Sequence, residues 1–136
     1  MATKITQTTQ IDDNRIRGLL CDAFEGGSNY WIDNICPELT GGLVFDDFKT
    51  GGSQQIPDDY WHWSQLVPLV EGCAVVVKDN EDGKFHRLDR EAICRGLQLM
   101  ADKYPEHFLD VVNENDDATT GDVFLQLCLF GELVFG

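Results

Sequence analysis

A chain of 136 residues with 24 Asp and Glu against 10 Lys and Arg carries a formal charge of −14 and a pI near 4.3. Such a surface repels phosphate backbones and anionic lipid, which argues against direct nucleic-acid binding and against a membrane-surface role. Hydrophobic residues make up 43% of the chain, with 8 Phe, 3 Trp and 3 Tyr, which excludes a disordered polymer and suits one globular domain.

Residues 1–10 are polar and contain no apolar core of a signal peptide, so they are expected to form a flexible leader to a single domain over 11–136. A helix is predicted from Asp12 or Asp13, with Ile16, Leu19, Leu20, Ala23 and Phe24 on its apolar side. Gly26 and Gly27 are expected to stop it. The aromatics after Ser28 predict a strand through Ile35, with Asn29 and Trp31 on one face and Ser28 and Tyr30 on the other.

Pro37, Gly41, Gly42, Gly51, Gly52 and Pro57 punctuate the next stretch, where only Leu43, Val44 and Phe45 suggest a short strand. A helix is predicted from Pro57 and Asp58 to Val67, ended or kinked by Pro68. Cys73 to Val77 reads as a buried strand, Asp79 to Gly83 as a turn, and Lys84 to Leu88 as the returning strand of a hairpin. Asp89 is expected to cap a helix to about Tyr104, with Ile93, Leu97, Met100 and Ala101 inward. Pro105 opens a short helix with Phe108, Leu109 and Val112 inward. Thr119 or Thr120 then caps a last helix from Gly121 or Asp122, apolar almost all round and therefore buried. Gly131 breaks it, and Glu132 to Phe135 suggests a final strand. The sum is an α+β fold, a small antiparallel sheet with a central hairpin packed by four or five helices.

No stretch approaches the ~20 apolar residues of a membrane span. Cys21, Cys36, Cys73, Cys94 and Cys128 show no metal spacing and read as small core residues in a reducing cytoplasm. His62, His86 and His107 stand in no catalytic motif, and nothing beyond scattered acids suggests an enzyme. A pairing of Cys21 or Cys94 with a histidine is the weakest of the readings. The pairs Asp12/Asp13, Asp46/Asp47, Asp58/Asp59 and Asp116/Asp117 lack the alternating spacing of a cation loop and are simpler as helix caps. No glycine cluster has the pattern of a phosphate cradle, so no cofactor or metal is expected.

Two candidate binding features remain. Asp46, Asp47, Asp58, Asp59, Glu114, Asp116 and Asp117 form acidic segments, with Tyr60, Trp61 and Trp63 as aromatic anchors, suited to a basic protein partner. The bland reading is a solubilising surface and ordinary packing. The second is Glu25, Ser28, Asn29, Tyr30 and Trp31 with Asp122 and Gln126. This set reads either as a structural latch or as a pocket for a small nucleotide-type ligand.

The stretch Ala23 to Trp31 (AFEGGSNYW) and the ending from Gly121 (GDVFLQ…LFGELVFG) resemble a family of uncharacterised small acidic bacteriophage and prophage proteins. The resemblance covers most of residues 16–136, but no pattern matches over 37–60. It supplies no catalytic residues. It implies an accessory protein of the host bacterial cytoplasm, of the kind that inhibits a host defence or nucleic-acid enzyme; the residues leave the oligomeric state open, a homodimer included.

Overall fold

The computed structural model describes residues 1–44 and 62–136. Residues 1–10 carry no regular structure and are exposed. Helix α1 spans Asp13–Asp22, and Asp12 caps it by accepting the Arg15 N–H. Its last turn widens into a π turn, Ala23–Gly27, so the chain leaves the helix through the two glycines. Strand β1 covers Ile32–Glu38. The predicted strand therefore begins too early. Ser28 to Trp31 is a turn, because the Ser28 carbonyl accepts the N–H groups of both Trp31 and Ile32.

Helix α2 is one turn, Trp63–Leu66, followed by a 3-10 turn, Val67–Leu69, that contains Pro68. It is capped by a histidine: His62 Nδ1 accepts the Ser64 N–H, and Gln65 reaches back to the His62 N–H. Leu43 and Val44 are not in a strand, and Phe45 lies outside the described residues. The hairpin is as predicted, with β2 at Ala74–Asp79 and β3 at Phe85–Leu88. The sheet order is β1-β2-β3, antiparallel throughout, with β2 central. Asp79 shapes the hairpin turn. Its Oδ1 accepts the N–H groups of Glu81, Asp82 and Gly83, and its Oδ2 lies 2.8 Å from His86 Nε2. The His86 contact, then the turn N–H groups, hold its carboxyl at a pKa of about 2.

Helix α3 spans Arg90–Lys103 and is capped by Asp89, as predicted. It buries Ala92, Ile93, Gly96 and Met100, while Leu97 and Ala101 are half-buried. Helix α4, Pro105–Val112, packs Phe108 against the core as predicted but is turned about it. Val111 is its buried residue, and Leu109 and Val112 face outward. Helix α5, Ala118–Phe130, starts earlier than predicted because Asp117, rather than a threonine, caps it. Gly131 ends it at φ 73°, a conformation natural to glycine. Glu132 to Phe135 forms no strand.

α5 is the axis of the domain. Val123 to Cys128 are all buried, in one core with Leu19, Leu20, Val75, Val77, Ile93 and Met100. Full burial of each large apolar side chain is worth roughly 1.5–3 kcal/mol. Two glycines let α5 touch α1 and its π turn. A Cβ built at Gly121 would lie 2.5 Å from Asp22 Cβ, and one at Gly27 would overlap the Ala118 carbonyl. At the other face, a Cβ at Gly96 would overlap Cys128 Sγ. Of the five cysteines expected in the core, Cys73 and Cys128 are buried and Cys21 half-buried, but Cys36 and Cys94 are exposed. They occupy outward positions of β1 and α3. Among the described residues, no helix is long and apolar enough to cross a membrane.

Candidate functional site

The constellation at the α1–β1 turn is built by the shape of that turn. In a strand, Ser28 and Trp31 would point to opposite faces. In the turn, Ser28, Tyr30 and Trp31 converge on one carboxylate of α5. Asp122 Oδ1 accepts from Ser28 Oγ and from Trp31 Nε1, both at 2.8 Å. Asp122 Oδ2 accepts from the Tyr30 hydroxyl at 2.7 Å and from Gln126 Nε2 at 3.1 Å. An ionised carboxylate offers about four acceptor sites, and four donors fill them.

One helical turn on, Gln126 ties down the C-terminal segment. Its Oε1 accepts the N–H groups of Val134 and Phe135 at 2.7 and 2.8 Å, and its Nε2 donates to the Phe135 carbonyl at 3.2 Å. A buried side-chain amide thus does the work of a neighbouring strand, which is why an apolar tail can lie flat here without joining the sheet. Phe135 then stacks on Trp31, with ring centroids 4.9 Å apart and planes 7° apart. Phe130 tilts against Trp31 at 5.5 Å. Ser28 and Trp31 are buried, at 0% and 1% exposed, whereas Tyr30 is 52% exposed. Burial of its hydroxyl and the Asp122 carboxylate beside it push the Tyr30 pKa up to about 12.

The polar groups of this set are therefore occupied by one another. Glu25 and Asn29, proposed with them for a ligand pocket, point to solvent. A cavity of about 620 Å³ lies elsewhere, between the 3-10 turn and the start of α3, and is lined by Leu69, Val70, Arg87, Arg90 and Cys94 among others. A second of about 500 Å³ runs between the N-terminal segment and α3, against Ile16, Leu97 and Phe108. Neither includes any residue of the turn or of the Asp122 and Gln126 set. The arrangement fastens the α1–β1 turn and the C-terminal segment to α5, the geometry of a structural latch.

A second polar cluster joins α1 to the α4–α5 turn. Arg15 donates to the Val111 carbonyl and to Asp116 Oδ1, the latter at 2.6 Å. Asp22 meets Asp116 as well, and its Oδ2 is buried with no hydrogen-bond partner among the described residues. Burial and the Asp116 carboxylate raise the Asp22 pKa to about 8. A proton on Asp22 then supplies the bond to Asp116, which is itself held below the usual carboxylate range by its contacts with Asp22 and Arg15. The sequence reading missed this cluster. Its one signal was an arginine at helical position Arg15 beside an apolar stripe in a chain with few cations.

The predicted acidic partner surface is divided. Asp116 is half-buried in the ion pair with Arg15, and Asp117 caps α5 through the Thr120 N–H. The Glu114 side chain is 74% exposed and lies 3.7 Å from Arg15. Trp63 is half-buried against the core, tilted on His62. Asp46, Asp47, Asp58, Asp59, Tyr60 and Trp61 lie outside the described residues. Among the described residues no group of three or more His, Cys, Asp or Glu is placed to hold a metal ion. Comparison with protein-family models, curated proteins and solved structures returns no match for this chain.

Proposed function

We propose that the chain is a binding protein, a phage-encoded accessory factor that occupies the basic surface of a host defence or nucleic-acid-processing protein. The observation that carries this reading is the distribution of charge. Among the described residues, four cations are drawn into pairs: Arg15 with Asp116, Arg90 with Asp13, Arg87 with Glu38 and Lys78 with Asp33. Glu71, Glu81, Asp82, Glu91, Glu106 and Glu132 meanwhile face solvent. Among the described residues these acids are thus displayed outward, where they steer and bind a basic partner in place of phosphates. The resemblance of the two end motifs to small phage proteins supports the biological setting. The occupied polar groups of the latch favour this reading over small-ligand binding.

The test is capture of partners from bacterial host lysate on the immobilised chain, followed by affinity measurements on the purified partner. A partner whose affinity falls about tenfold or more between ~50 and ~500 mM salt, and from which duplex DNA or RNA displaces the chain, supports the reading. A partner bound with salt-independent affinity, or bound together with its nucleic acid, overturns it.

A further inference from the structure

The outward face of α4 sets exposed apolar side chains beside acids. Leu109 is 56% exposed and Val112 43% exposed, on a helix that turns Phe108 and Val111 inward. With Pro105 they lie at i, i+4 and i+7, so they form one apolar line along the helix. Glu106, Asp110 and Asn113 lie at the same spacing on the adjacent line. Glu114 follows at the end of the helix, held outward by a left-handed backbone at φ 61°. From Tyr104 to Gly136 the sequence holds no Lys or Arg.

We propose that this face of α4 is the docking surface for a basic amphipathic helix of the partner, an inference that rests on the acidic-binding reading above. The charge line selects the occupant. A second copy of this chain would set acids against acids, and an anionic membrane would be repelled. A helix with an apolar stripe beside Lys or Arg matches both lines at once. Leu109 and Val112 enter between its side chains as ridges enter grooves, while Glu106, Asp110 and Glu114 face its cations. The exposed leucine and valine give the affinity, and the acids set the register and the rate of encounter.

The test is a ¹H–¹⁵N NMR titration of the full chain with two synthetic probes. One is a Leu/Lys peptide of about 14 residues with its leucines at helical spacing. The other is an all-lysine peptide of equal length. The expected result is that the Leu/Lys peptide shifts amides of residues 106–116 and binds more tightly than all-lysine. Leu109→Ser with Val112→Ser, both at exposed sites, should then weaken the Leu/Lys peptide about tenfold while leaving all-lysine binding unchanged. Shifts centred elsewhere, an unchanged affinity in the double variant, or concentration-dependent shifts on α4 without any peptide overturn the proposal. If the peptides bind salt-dependently but away from α4, this docking surface is wrong and the acidic-binding reading stands. If neither binds at ~50 mM salt, both fall.

Discussion

Replacing Asp122 with alanine tests the latch most sharply. The carboxylate receives four side-chain donors, but these are not equal. Tyr30 is a surface side chain that can swing its hydroxyl to water, and Gln126 Nε2 keeps the Phe135 carbonyl. Ser28 and Trp31 are buried and would lose their acceptor. A buried donor left without a partner costs ~1–3 kcal/mol, so two of them set the loss at about 3 kcal/mol or more. At ~2.1 cal/mol/K per residue, unfolding 136 residues has an entropy of about 290 cal/mol/K, so each kcal/mol moves the Tm by roughly 3.5 °C. Scanning calorimetry should therefore show Asp122→Ala melting about 10 °C below the parent. Asp122→Asn keeps an acceptor for Ser28 and Trp31 while its amide meets the Gln126 amide, and should lose only about 1 kcal/mol. A drop below about 3 °C for the alanine variant, or equal damage from both, would mean that the buried donors do not depend on Asp122.

Two glycine substitutions of the same kind should have opposite signs. Gly18→Ala fills open space in the interior of α1 and should raise stability by roughly 0.5–1 kcal/mol, whereas Gly27→Ala drives a methyl into the Ala118 carbonyl and should lower it by roughly 2 kcal/mol or more, both read by urea midpoints. Asp22, with a folded pKa of about 8 above its unfolded value of 3.8, contributes stability that is full below pH 3.8 and is lost as pH rises through 8. Urea midpoints at pH 5, 7 and 9 should thus fall more steeply for the parent than for Asp22→Asn, which cannot ionise. Asp79, held at about 2, contributes in the opposite sense: that stability is present above 3.8 and lost as pH falls through 2, so Asp79→Asn should flatten acid unfolding there. Gln126→Leu keeps the volume in the core but frees Val134 and Phe135, and their amides should exchange with solvent faster by hydrogen exchange.

The elements that local pattern specifies were legible. The β-branched run into Asp79 and Gly83 forms the hairpin, and Asp89 caps α3, because each signal and its effect lie within a few residues. The long-range features were legible as residues but not as geometry. Asp122 and Gln126 could be paired with the Ser28–Trp31 stretch by character, yet aromatic propensity pointed to a strand. Only the Ser28 carbonyl, closing a turn, brings three donors to one carboxylate more than 90 residues away. The tail misled for the same reason. Leu133 to Phe135 has strand composition, but its hydrogen-bond partner is a side-chain amide. On α4 the apolar periodicity admits two orientations, and the Arg15 bond to the Val111 carbonyl lies on the buried side. No local pattern carries that contact.

The proposed function sets outward-facing charge in the place of nucleic acid on a basic partner. Its most direct measurement is competition, by fluorescence anisotropy, between labelled duplex DNA and this chain for the partner captured from host lysate. The chain should displace DNA completely at ~50 mM salt, with an affinity that drops about tenfold or more by ~500 mM. DNA that stays bound while the chain also binds, or displacement indifferent to salt, would contradict it.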